Sequence, residues 1–178
     1  RIGDVDDGWR CAIAMLMNER VAIGSGGGGG RGNSVKPLID LARRRGVLDQ
    51  PVVRQGIADV YIRTKIMGFI GQRTRAAVTA GKAPGPEGSI AKLAGAQLSR
   101  ITSDLGIAIA GVGGQAWSDD REARWAQSVL SSPSSRIAGG TDEVQRNIIG
   151  ERVLGLPKEP QIDRDIPFKE LKVGTQSR

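Results

Sequence analysis

Apolar residues recur along this chain at the three-to-four-residue spacing of helices, and no stretch alternates convincingly as a strand would. Residues 8–23 form the first predicted helix, with Trp9, Ala12, Ile13, Leu16, Met17, Ala22 and Ile23 as its apolar set. The glycine run over 25–33 breaks the pattern, because each Gly inside a helix costs ~1 kcal/mol against Ala. A short helix over 34–45 follows, with Leu38, Leu41 and Ala42 on one side and Gly46 ending it. Pro51 occupies a favoured first-turn position and opens a third helix that runs to residue 80 or so. Its core candidates include Ile57, Val60, Tyr61, Met67 and Ile70, and Gly68 and Gly71 are expected at a close helix–helix contact.

Residues 82–88, with two prolines and two glycines, make a loop. The fourth helix spans 89–110 and carries Ile90, Leu93, Leu98, Ile101, Leu105 and Ile109 as its apolar set. A glycine-rich connection over 111–117 leads to a short helix over 119–130 that carries Trp125, and 131–135 form a loop. A last helix begins at Thr141 and ends near Leu154, stopped by Gly155-Leu156-Pro157. Four substantial helices with short connections predict an all-α fold, an antiparallel four-helix bundle with additional short helices. The bundle domain covers residues 1–157, and 158–178 read as a polar tail that wraps a neighbour or stays loose.

Length and composition narrow the class without naming a function. With 178 residues, 39% hydrophobic and 25% charged, the chain has the composition of one ordinary globular domain. The lone Cys11 rules out an intramolecular disulfide framework and fits a reducing, cytoplasmic compartment. No segment approaches the ~20 apolar residues that would span a bilayer, and the first ten residues hold no signal-peptide core. The chain opens without a methionine and reads as a piece of something longer. The net charge of +7 invites a nucleic-acid reading, but aromatics are only 3% and no recognition module is present. The densest basic run, Arg43-Arg44-Arg45, is explained as well by a solvated face or a phosphorylated small molecule. Nucleic acid is therefore not an expected partner.

Residues 137–152 (Ile-Ala-Gly-Gly-Thr-Asp-Glu-Val-Gln-Arg-Asn-Ile-Ile-Gly-Glu-Arg) stand out as a paired-glycine turn leading straight into a helix. Thr141 is suited to cap that helix, since its hydroxyl can accept from an unpaired first-turn amide. Val144, Ile148 and Ile149 supply an apolar face. Mechanics alone leave two readings: a tight loop with a capped core helix, or a turn whose N–H groups approach a ligand oxygen. Glu19 is the other unusual residue, lying four after Met15, three after Leu16 and four before Ile23. A buried carboxylate there would have a raised pKa suited to a base; a salt bridge with Arg20 or a partner element is the plainer alternative.

The chain has no histidine, which removes Ser-His-Asp and Cys-His catalysis and His-based metal sites. One cysteine cannot build a thiolate zinc site or an iron–sulfur cluster, so no metal centre is expected. Carboxylate chemistry remains, with a cofactor carrying the harder step.

Several motifs together carry a resemblance. They are Gly8-Trp9-Arg10, then Leu16-Met17-Asn18-Glu19-Arg20-Val21-Ala22, then Pro84-Gly85-Pro86-Glu87-Gly88-Ser89-Ile90-Ala91-Lys92, then residues 137–152 followed by Val153-Leu154-Gly155-Leu156-Pro157. In order and spacing they resemble the acyl-CoA dehydrogenase family, and look like its actinobacterial branch. The resemblance covers only the C-terminal helical domain; the family's N-terminal helical and middle β domains are absent from this chain. It implies FAD as cofactor, an acyl-CoA substrate, electron-transfer flavoprotein as the oxidant of the flavin, and a tetrameric assembly. In such enzymes a glutamate takes the α-proton while hydride leaves the β-carbon for the flavin.

Many members carry that glutamate just before the Gly-Thr of the closing motif, where this chain has Gly139. Others place it on the first helix of the domain in a Glu-Arg pair, which matches Glu19-Arg20 here. The resemblance thus implies Glu19 as base and a Gly139 N–H that stabilises the thioester oxygen. Arg20 and Gly140 fall beside the substrate, and Thr141 and Glu143 match adenine-side FAD contacts. The family's Arg-x-x-Phe-Gly turn departs here: aligned on Gly46, Ala42 stands at the arginine and Arg45 at the aromatic. Arg43 or Arg44 could reach the FAD pyrophosphate instead, or the contact is lost. The family's Gln-x-x-Gly-Gly flavin contact is also not clean in 107–114. These gaps lead to two assemblies: a homotetramer, or an α2β2 heterotetramer in which this chain is a partly active or non-catalytic subunit.

Overall fold

The computed structural model describes residues 2–24, 35–82, 85–116, 120–158, 160 and 165–171. The glycine break at 25–33, part of the 82–88 loop and most of the tail lie outside the described residues. In chain order the helices are α1 (Gly8–Gly24), α2 (Lys36–Arg44), α3 (Pro51–Thr79), α4 (Gly88–Ala110), α5 (Val112–Gln115), α6 (Asp120–Ser131), α7 (Ser134–Ile137) and α8 (Asp142–Ile148). A π-helical turn, Ile149–Val153, extends α8, and a 3-10 turn covers Phe168–Glu170. The fold is all-α, with no strand among the described residues.

The bundle is organised around α4, which packs against α1, α2, α3, α6 and α8. Its core joins Leu38, Leu41 and Ala42 of α2, Val53 and Val60 of α3, Leu98 and Ile109 of α4, and Trp125 of α6. Ile57 and Met67 are half-buried against that core, so 53, 57, 60 and 67 form one stripe on α3.

Local chemistry explains the helix ends. Pro51 stands at the start of α3 after an extended Gln50. Gly46 adopts φ +67°, its N–H reaching the Arg43 carbonyl at 3.1 Å while the Val47 N–H reaches Ala42 at 3.0 Å. That is a Schellman closure, and it needs a residue that tolerates the left-handed region.

Several sequence expectations are corrected. Tyr61 is 51% exposed and lies under the Lys65 ammonium, because α3 is apolar on more than one side and only one side meets α4. Trp9, expected in the core, is 78% exposed, and Leu16 is exposed as well. The described packing of α1 is against α4, which covers one side of the helix. The close helix contacts are not at Gly68, which has open space beside it, or at Gly71, whose nearest foreign atom belongs to Arg75 of its own helix. They are at Gly56, where a Cβ would lie 2.8 Å from Leu105, and at Gly106, where it would lie 1.9 Å from the Trp125 ring. The connection expected over 111–117 contains the helical turn α5, and 131–135 run into α7. Serine hydroxyls support this second turn: Ser134 and Ser135 each donate to the carbonyl three residues back at 2.7 Å.

Candidate active site

The paired-glycine turn links α7 to α8. Ala138 is extended, Gly139 has φ +67° and Gly140 has φ +96°, two consecutive left-handed residues that a side chain would strain. At Gly140 an added Cβ would also meet Gln145 Nε2 at 2.6 Å. Thr141 then caps α8 as expected, its Oγ1 accepting the Val144 N–H at 3.3 Å.

The side of α8 that faces the protein is polar. Val144, expected in the apolar face, is 44% exposed, and Ile148 and Ile149 are half-buried. Asp142 and Gln145, one turn apart, are the buried residues of this helix. They are drawn in by partners that the sequence reading did not single out. Lys92, in the first turns of α4, is 2% exposed, and its ammonium donates to the Gly140 carbonyl at 2.5 Å. The same ammonium lies 3.9 Å from Asp142 Oδ1. Arg136 of α7 donates from Nε to Asp142 Oδ2 at 2.7 Å. Gln145 Nε2 donates to the carbonyls of Gly139 at 2.9 Å and Gly140 at 3.3 Å.

The electrostatics follow from this packing. Burial pushes the Lys92 pKa below its ordinary value, and the charges of Asp142 and Glu143 oppose that push. The Arg136 guanidinium is held above its ordinary value by its hydrogen bond to Asp142. Glu143 points outward, and its own backbone amide, then the Thr141 hydroxyl, lower its pKa.

The remaining expected site residues lie elsewhere on the scaffold. Glu19 is on α1 and exposed, not sequestered, with Met15 and Leu16 exposed beside it; the burial expected from its spacing is not present in this chain. The Arg20 side chain lies outside the described residues. Arg43 and Arg44 are exposed at the end of α2, Arg43 lying 3.8 Å from Asp40. Ala42, at the position where the resemblance puts an arginine, is fully buried in the core. α1, α2 and α8 all rest on α4, so one helix carries the three stretches named from the sequence. One sequence signal could have pointed to the buried cluster: Lys92 interrupts an otherwise apolar run, Ile90, Ala91, Leu93 and Ala94. Among the described residues, no group of three or more carboxylates or thiols could hold a metal ion, and no helix is long and apolar enough to cross a membrane.

Comparison with known proteins adds to this geometry. The family profile "Acyl-CoA dehydrogenase, C-terminal domain" matches residues 6–154. The chain is 33% identical over 162 residues to acyl-CoA dehydrogenase IpdE1 of Mycobacterium tuberculosis, covering 89% of this chain and 40% of that protein. It is 30% identical to IpdE1 of Mycolicibacterium smegmatis over 89% of this chain and 39% of that protein. Against acyl-CoA dehydrogenase FadE34 of M. tuberculosis the identity is 28%, over 88% of this chain and 21% of the relative. The chain thus spans well under half the length of these relatives. A solved variant of the Tcur3481-Tcur3483 steroid ACAD superposes with a TM-score of 0.72 at 24% identity, over 88% of this chain and 42% of the other, a likeness of fold.

Proposed function

The chain belongs to the acyl-CoA dehydrogenase family as its C-terminal domain, and we propose that the protein containing it dehydrogenates an acyl-CoA thioester between its α and β carbons. The observation that supports this reading is that α1, which carries Glu19, and α8, which follows the Gly139 turn, each pack on α4. An exposed carboxylate, Glu19, sits among exposed apolar residues on α1, while the buried turn at Gly139 offers backbone and no side chain. Glu19 takes the α-proton, and the Gly139 N–H donates to the thioester oxygen as negative charge develops there. Gly140 and Arg20 are the further residues proposed to bind the substrate.

The residues present fit two separate edges of FAD. The exposed Glu143 carboxylate and the Thr141 hydroxyl suit the polar groups of its adenosine half. The exposed guanidinium groups of Arg43 and Arg44 suit its pyrophosphate. When bound, FAD supplies the acceptor for the β-hydride. Electron-transfer flavoprotein is the proposed oxidant of the reduced cofactor, and the cytoplasm the proposed location. No metal takes part in this reading.

A second reading is favoured by Ala42. Its complete burial leaves no outward side chain where an arginine would reach FAD. In that reading the chain belongs to an α2β2 heterotetramer as a partly active or non-catalytic subunit, instead of forming a homotetramer. Flavin content separates the two. The complete subunit, expressed alone and purified, is expected to be yellow with about one flavin per chain in the dehydrogenase reading. A colourless protein that gains flavin only on co-expression with a partner subunit supports the heterotetramer instead.

A further inference from the structure

Two carbonyls of the glycine turn are drawn inward by side chains from two helices. Gly139 O accepts from Gln145, and Gly140 O accepts from both Lys92 and Gln145. In a trans peptide the N–H lies opposite the C=O, so these bonds fix the 139–140 and 140–141 peptide planes, which immediately follow the Gly139 N–H. Asp142 holds the Lys92 ammonium in place by charge, and Arg136 completes the pairing of that carboxylate. A lysine enclosed this fully loses its hydration and the freedom of a long side chain, a cost met only where its contacts are specific. The Gly140 carbonyl is forty-eight residues away in sequence, so this hydrogen bond ties the start of α4 to the turn before α8.

We propose that Lys92 is a positioning residue: with Gln145 it locks the Gly139–Gly140 turn in the geometry that presents its backbone to the acyl-CoA thioester. The lock rests on the dehydrogenase reading for its catalytic consequence, and on this chain's own contacts for its existence. Lys92 does not touch substrate. It acts through the peptide planes of the turn, where a misplacement of the order of 1 Å can cost about a hundredfold in rate.

The test uses the complete flavoprotein carrying Lys92→Met, with Gln145→Leu as a second variant that removes the Gln145 bonds to both carbonyls while leaving Lys92 on Gly140 and beside Asp142. Hydrogen exchange read by mass spectrometry on peptides covering 138–145 is expected to accelerate at least about tenfold in both variants. Flavin content is expected to be retained. In steady-state kinetics kcat is expected to fall roughly ten- to a hundredfold with KM for the acyl-CoA nearly unchanged. Unchanged exchange in both variants overturns the lock, and faster exchange with wild-type kcat overturns its positioning role. A wild-type protein that turns over no acyl-CoA overturns the dehydrogenase reading and its catalytic consequence, and exchange at 138–145 still decides the lock.

Discussion

Replacing Glu19 by Gln in the complete flavoprotein is expected to lower the turnover of acyl-CoA by about a thousandfold, within the range attributed to a general base. The substitution keeps the shape of the side chain and removes its ability to take a proton. Few substitutes are at hand near the turn. The chain has no histidine, and Gly139 has no side chain. Asp142 is buried and held by Arg136 and Lys92. Glu143 is engaged by its own amide and by Thr141. Flavin is expected to remain bound, because Glu19 is on α1, away in sequence from the proposed FAD contacts. Steady-state assay with an artificial electron acceptor checks this. Near-wild-type turnover with flavin retained would place the base elsewhere.

The second large effect concerns stability. Asp142→Ala leaves the enclosed Lys92 ammonium without its counter-charge and strips Arg136 of its hydrogen bond, for an expected cost of about 3–5 kcal/mol. Asp142→Asn keeps the volume and is expected to cost less, about 2–3 kcal/mol, because an amide oxygen can still accept. The penalty depends on pH with a definite sign. The Lys92 pKa is lowered in the folded chain from 10.5, first by burial. Between the two values the unfolded chain therefore binds more protons, and the contribution of Lys92 to stability rises with pH. The Asp142→Asn deficit should narrow as pH rises towards 10.5, because a neutral lysine no longer needs the carboxylate. Urea midpoints of wild type and variant from pH 7 upward measure this. A deficit that does not change with pH would mean that the carboxylate serves Arg136 alone.

Features set by a few neighbouring residues were readable in the chain itself. Pro51 opening α3, Gly46 closing α2 and Thr141 capping α8 each depend on backbone geometry within one turn. Which side of a helix faces the interior was much less readable. Trp9 and Tyr61 look like core residues by spacing, but α1 and α3 are apolar on more sides than α4 can cover. Gly56 and Gly106 mark the close approaches because Leu105 and Trp125 reach them from other elements, which periodicity within one helix does not reveal.

The candidate site divides in the same way. Gly139, Gly140 and Thr141 were legible because two glycines before a capping threonine define a turn. Lys92 and Asp142 were not, because a charged residue reads as surface until its partner, fifty residues away, is known. The role of Glu19 rests on resemblance to a family more than on packing, since its own chain leaves it exposed.

The reaction proposed for the protein that contains this domain is an α,β-dehydrogenation of acyl-CoA. Its most direct test is anaerobic titration of the complete flavoprotein with short-chain, long-chain and steroid-derived acyl-CoA thioesters, following the visible absorbance of the oxidised flavin. One of these classes is expected to bleach the flavin within a single turnover. A flavin that stays oxidised in the presence of every thioester would contradict it.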